Sequence, residues 1–299
     1  MKRLDRKIVT DAVALFLDAH AELGEGPVWD ADAGCLYFVD IVRGRVHRID
    51  PVPRTWETFH VDRMVGAVAL TDAGDLVLAV KGGFALLDID TGGVQPIAGV
   101  DADRPEIRMN DGKCDPAGRF WAGTMALDER PGAGHLYRLD PDGSVTAMLG
   151  GVSISNGLDW SDDGRLMYFI DTPTGSIDVF DFDLPTGAIA NRRSLVRIPA
   201  DEGAPDGMTL DAEGCVWVAL WGGGAVHRYA PDGSRDAVIR LPTAYPTSCA
   251  FGGPDLRDLY ITTAAIALSE RERAEQPSAG GVFVARPGVA GRAPHRFKG

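Results

Sequence analysis

Six times along the chain the same phrase returns: a turn, a short strand, a Gly-bearing hairpin, then a second strand rich in Leu, Val, Tyr and Phe. A repeat of this length names an architecture before any motif is consulted. In register, the copies read Glu25-Gly26-Pro27-Val28-Trp29, Val65-Gly66-Ala67-Val68-Ala69, Asn110-Asp111-Gly112-Lys113-Cys114, Asn156-Gly157-Leu158-Asp159-Trp160, Asp206-Gly207-Met208-Thr209-Leu210 and Thr247-Ser248-Cys249-Ala250-Phe251. Their first residues are spaced by 40, 45, 46, 50 and 41. Second strands follow, such as Leu36-Tyr37-Phe38-Val39 and Met167-Tyr168-Phe169-Ile170, and most third strands open on Gly, as in Gly134-His135-Leu136-Tyr137. Four short strands per unit, turn signals at every joint and no long amphipathic helix predict an all-β, six-bladed β-propeller of four-stranded blades.

A chain of 299 residues with 45% hydrophobic content can bury a large core, and no linker or composition shift divides it. The expectation is one propeller domain over residues 1–299. Ring closure requires the ends to meet: the segment 10–17 reads as a strand before the first copy, and 281–285 as a third strand after the last, so the N-terminal strand is expected to close the sixth blade. Met1–Lys7 has the charge of a signal-peptide start, but Asp11 and Asp18 interrupt the apolar stretch after it and no small-residue cleavage site follows. No segment has the apolar length of a membrane span. Cys35, Cys114, Cys215 and Cys249 are far apart without Cys-x-x-Cys pairing, which predicts buried reduced thiols and a cytoplasmic location. Lys and Arg number 30 against 43 Asp and Glu, a net charge of −13. Such a surface repels polyanions and lacks a basic stripe, which excludes nucleic acid as a partner and suits a monomer acting on a small molecule.

In a propeller the first strand of each blade lines the central channel, so one repeat position forms a ring around the axis. That ring reads Glu25, Val65, Asn110, Asn156, Asp206 and Thr247. Four members offer oxygen donors suited to a hard cation, and two of those are carboxylates. Glu25, Asn156 and Asp206 are the expected ligands of one divalent metal, with Ca²⁺, Mg²⁺ or Mn²⁺ favoured by oxygen-only ligation and Fe²⁺ or Zn²⁺ acceptable. Asn-Gly and Asp-Gly are also common hairpin dipeptides, but Ser161-Asp162-Asp163-Gly164 and Asp211-Ala212-Glu213-Gly214 already supply the turns that follow. No His-Glu-x-x-His spacing and no Gly-x-Ser-x-Gly elbow occurs, which argues against a histidine-held metal or a Ser-His-Asp triad. His47 and His227 occupy the same place in two third strands and read as repeated surface or packing positions. Trp29, Trp160 and Trp217 read as core.

Several longer phrases carry a resemblance. Leu23-Gly24-Glu25-Gly26-Pro27-Val28-Trp29, Arg108-Met109-Asn110-Asp111-Gly112-Lys113, Asp115-Pro116-Ala117-Gly118-Arg119, Ser155-Asn156-Gly157-Leu158-Asp159-Trp160, Pro205-Asp206-Gly207-Met208 and Phe251-Gly252-Gly253-Pro254-Asp255 are similar to those of the gluconolactonase/regucalcin family, and most like its bacterial sugar-acid lactonases. The matches run from about residue 22 to 285. The resemblance implies a six-bladed propeller with one catalytic divalent metal on Glu25, Asn156 and Asp206. It implies sugar-lactone contacts from Arg108 and Asn110, and from Asp128, which stands where the family often has an acidic residue after Gly-Thr-Met.

Lactone hydrolysis needs a polarised carbonyl, an attacking water and a base. A metal supplies the first, and Asp206 is the candidate general base and later acid; the residues leave open whether a hydroxide on the metal serves instead. Two rivals use the same ring. A phosphotriesterase-like or other ester hydrolase favours an apolar, aromatic mouth, and a non-enzymatic calcium-binding propeller has no need of Arg108 or Asp128. Finally, the insertion 264–279, with Ser269-Glu270-Arg271-Glu272 as a helix capping box, is expected to edge the binding face.

Overall fold

A computed structural model describes residues 8–10, 13–52 and 54–299. The Met1–Lys7 stretch and Asp11–Ala12 of the expected opening strand lie outside the described residues. The described strands form six antiparallel meanders arranged as a six-bladed β-propeller. The inner strands are Gly24–Asp30, Val65–Leu70, Ile107–Cys114, Ser155–Trp160, Ala204–Leu210 and Pro246–Gly252, one for each copy of the repeat. The sixth blade is completed from the N-terminus: Val13–Leu17 pairs antiparallel with Val282–Ala285. Ile8–Thr10 adds a parallel fifth strand to the outer edge of blade 5.

Burial explains why inner and second strands read as apolar runs while outer strands alternate. A strand sandwiched between neighbouring blades is covered on both faces. Thus Leu76–Val80 and Phe120–Ala126 are buried throughout, whereas Thr55–His60 is largely exposed. Trp29, Trp160 and Trp217 lie in the core as expected, joined by Trp121. All four cysteines are free and buried. His47 and His227 are packing residues rather than surface ones, and burial lowers both to about 4.

Every inner strand breaks its pairing at the ring position. The register with the second strand shifts between Glu25 and Val28, Val65 and Ala67, Met109 and Gly112, Ser155 and Leu158, Pro205 and Met208, and Pro246 and Ser248. A bulge releases a residue from the ladder and re-aims its side chain. Asn110, Asn156 and Asp206 are such released residues, while Glu25 and Val65 are still the last paired ones, so the sequence alignment is one residue out of step in blades 1 and 2. Asn156-Gly157 and Asp206-Gly207 are therefore strand residues and not hairpin turns. Gly157 is required for a different reason: a Cβ there would stand 2.7 Å from the Asp206 carbonyl of the next blade.

The C-terminal segment runs across the end of the propeller where the inner strands finish. Gly291 bridges to Asp211 in blade 5, Arg292 donates to Trp160 O in blade 4, and Phe297 bridges to Thr71 in blade 2. Arg296 meets Asp30 of blade 1 at 2.6 Å. Among the described residues no helix is long and apolar enough to cross a membrane.

Candidate active site

The released residues converge at the opposite end, where the inner strands begin. Asp40 and Asp171, each closing a second strand, hold the approach to two of them. Asp40 accepts from the Glu22 and Leu23 amides, and Asp171 from those of Ser153 and Ile154. These paired N–H bonds fix the chain just before Glu25 and Asn156. The sequence displayed both acids, as the residue following Leu36-Tyr37-Phe38-Val39 and Met167-Tyr168-Phe169-Ile170, but nothing in the strand pattern marked their role.

Glu25, Asn110, Asn156 and Asp206 are all buried. Asn110 Nδ2 donates to Ser155 O at 2.8 Å and to Asn156 Oδ1 at 3.3 Å. Arg108 Nη1 donates to Asn110 Oδ1 at 2.7 Å, which places its guanidinium beside the ring. Glu25 Oε2 accepts from the Gly26 amide at 2.8 Å. Asp206 is supported by the Gly207 amide and by the Asn156 side chain. Its Oδ1 is buried with no hydrogen-bond partner among the described residues.

The electrostatics follow from burial. Burial pushes Glu25 well above the ordinary carboxylate range, and the nearby Asp206 and Asp111 charges push it further. Asp206 is raised in the same way, by burial and then by Asp111, against the pull of Arg108. Burial likewise lowers Arg108 to about 10, with Glu25, Glu129 and Asp206 drawing it back up. Asp111, which sequence reasoning passed over, is buried and raised to about 6 chiefly by that burial. The site thus sets Glu25 and Asp206 against one guanidinium, with Asp111 beneath them drawn down by Lys113, an arrangement short of positive charge at the ring.

That shortage, the orphaned Asp206 oxygen and an all-oxygen donor set of two carboxylates and an amide fit a hard divalent cation. Among the described residues no three His, Cys, Asp or Glu side chains gather as a metal cluster; at this site the remaining donors are amides. Glu25, Asn156 and Asp206 are the residues that could hold such an ion.

Asp128 is not part of this hydrogen-bonded group. It is exposed and engages Arg130 with both oxygens at 3.1 Å. Its neighbour Glu129, held at a positive φ of 56°, is the acid whose charge acts on Arg108. Both lie on the connection leaving Ala126, which pairs with Ile107, and so stand at the same end of the blade as Arg108. The insertion 264–279 also rises at this end, since it follows Thr263, the partner of Pro246. Its Glu270–Glu275 helix carries the expected capping box, and Arg273 reaches Glu22 at 2.8 Å.

Below the ring the same channel widens into a cavity of about 210 Å³, lined by Asp111, Lys113, Asp159, Ser248 and Arg292 among others. There the charges are paired. Lys113 Nζ donates to Asp159 at 3.0 Å and to Met208 O at 2.9 Å, and Arg292 Nη2 stands 3.5 Å from Asp159.

Fold and site together define a six-bladed propeller with one acidic, oxygen-rich centre on its axis. Residues 23–265 match the SMP-30/gluconolactonase/LRE-like region, and the chain belongs to that family. It is 43% identical to regucalcin of Xenopus laevis over 285 residues, covering 93% of this chain and 95% of that one. It is 41% identical over 290 residues to YvrE, a Bacillus subtilis (strain 168) protein named for sugar lactone lactonase activity, covering 97% and 99%. Among solved structures, a calcium-binding regucalcin from Agrobacterium tumefaciens str. C58 superposes with a TM-score of 0.94 at 30% identity, covering 97% of this chain and 99% of that chain.

Proposed function

We propose that the chain is a metal-dependent lactonase that hydrolyses a five- or six-membered sugar (aldono) lactone to the aldonic acid. The observation that carries this reading is the pair of buried carboxylates, Glu25 and Asp206, set against the single guanidinium of Arg108 and so left with excess negative charge. The names of its relatives support the substrate class. A divalent cation held by Glu25, Asn156 and Asp206 supplies Lewis acidity when bound, polarising the lactone carbonyl and offsetting charge that develops on its oxygen.

The chain's own groups do the rest. Arg108 and Asn110 bind and orient the lactone's hydroxyls, and Arg108 is placed to pair with the carboxylate of the product. Asp128 and Glu129 meet outlying hydroxyls from the rim. Asp206 takes a proton from the water whose oxygen attacks the carbonyl carbon. As the bond between that carbon and the ring oxygen breaks, the proton passes to the ring oxygen, which becomes the hydroxyl of the open acid. Glu25 stays ionised as an anchor. The whole chain, 1–299, works as one domain and as a monomer in the cytoplasm.

The test is acid release from gluconolactone, xylonolactone, arabinolactone and galactonolactone by protein reloaded with Ca²⁺, Mn²⁺ or Zn²⁺. Metal-dependent release well above an Asp206→Ala control supports the reading; equal rates in both proteins overturn it. The control is essential because six-membered lactones open spontaneously.

A further inference from the structure

An amide ligand has two ends of nearly the same shape, and only its oxygen can serve a cation. Something must therefore decide which way the Asn156 amide faces. The described bonds supply a one-way chain. Asn156 Nδ2 lies 2.9 Å from Thr172 Oγ1, and Thr172 Oγ1 lies 2.9 Å from the carbonyl of Pro205. A carbonyl oxygen only accepts, so the Thr172 hydroxyl must give its proton to Pro205 O. Its lone pair is then left to accept, and the amide end facing it must be the N–H end. Asn156 Oδ1 is thereby turned toward Asn110 and the axis.

Position strengthens the case. Thr172 opens the short turn that follows Asp171 in blade 4, while Pro205 directly precedes Asp206 in blade 5. One hydroxyl thus ties the amide ligand of one blade to the backbone that carries the carboxylate ligand of the next. The chain does not pass through Asn156's other contacts, and nothing in the repeat marked Thr172.

We propose that Thr172 is a positioning residue that locks the Asn156 amide with its oxygen toward the axis and so sets the affinity of the site for its cation. The proposal rests on the metal reading given above. Removing an outer partner of a metal ligand typically costs about 10- to 100-fold in affinity. Metal-stripped wild type, Thr172→Val, Thr172→Ser and Asp206→Ala are titrated with Mn²⁺, following free Mn²⁺ by electron paramagnetic resonance, with the melting temperature of each metal-free protein recorded alongside. Valine keeps the shape but loses the hydroxyl, whereas serine keeps the hydroxyl. The expected result is about 10- to 100-fold weaker Mn²⁺ binding in Thr172→Val, near wild-type binding in Thr172→Ser, and metal-free melting temperatures that do not explain the difference. Wild-type affinity in Thr172→Val overturns the role of Thr172 while leaving the metal site standing, and so does equal weakening in the serine variant. Absence of Mn²⁺ binding in wild type, or binding that survives Asp206→Ala, overturns both.

Discussion

Glu25 and Asp206 at one level of the channel and Asp159 at another are all buried carboxylates, and they are treated oppositely. At the end where the inner strands begin, Glu25 and Asp206 are raised by burial and by neighbouring acids, and Asp206 keeps an oxygen without a partner among the described residues. Further down, Asp159 is just as enclosed, yet it is held below the ordinary carboxylate range. Burial pushes it up, but Lys113 and then Arg292 outweigh that, helped by the Trp160 amide. Asp159 also accepts from the Leu210 amide at 3.0 Å. The lower end thus carries its own cations. The upper end is built from the same repeat but sets Arg108 alone against Glu25 and Asp206, and this imbalance is what marks it as a place for an ion brought from outside.

The comparison breaks first at Asp206. Replacing it with Ala is expected to lower kcat/KM for the best lactone by about 10³-fold, the scale of losing a main electrostatic element of a transition state. At the other end, Lys113→Met strands Asp159 with only the more distant Arg292. Removing one partner of a buried pair costs about 3–5 kcal/mol; the remaining arginine reduces this to about 2–3 kcal/mol, read as a lower denaturation midpoint with little change in metal affinity. A smaller effect belongs to Arg108→Met: loss of charged hydrogen bonds worth about 1.5–3 kcal/mol each predicts KM raised at least about tenfold, measured on metal-loaded protein shown to be folded.

The two ends should also answer pH with opposite signs. Raised native pKa values at Glu25 and Asp206 mean that the folded, metal-free chain holds these protons more tightly than the unfolded one. Its stability therefore falls as pH rises from about 4 through the raised values. Metal must displace the same protons, so affinity is expected to strengthen as pH rises through the raised values. Asp159 has a depressed native value. Its contribution is complete above about pH 4 and is lost as pH falls through that native value. Denaturation midpoints measured across the range, with and without chelator, separate the two.

Much of this was legible in the sequence. Regular spacing and Gly-bearing turns define the six blades because each blade is a local unit whose strands pair with their neighbours in the chain. Asn110, Asn156 and Asp206 were visible because one repeat position faces one axis, and Glu25 was caught although it stands one residue off that position. What escaped depends on contacts between blades. Lys113 meets Met208, Thr172 meets Pro205, and Arg296 meets Asp30; no local period links such residues. Asp111 was hidden by its neighbour Asn110, since the alignment admits one residue per copy and the bulge in blade 3 releases two. Asp128 stands in the rim loop with its carboxylate on Arg130, while the charge of its neighbour Glu129 bears on Arg108, and no repeat period separates the two acids.

The claim that Glu25 and Asp206 hold a cation while Asp159 is satisfied by the chain's own groups has one direct test. Isothermal titration of Mn²⁺ and Ca²⁺ into metal-stripped wild type, Asp206→Ala and Asp159→Asn should give one tight ion per chain in wild type and in Asp159→Asn, and none in Asp206→Ala. Binding retained in Asp206→Ala, or lost in Asp159→Asn while that variant stays folded, would contradict it.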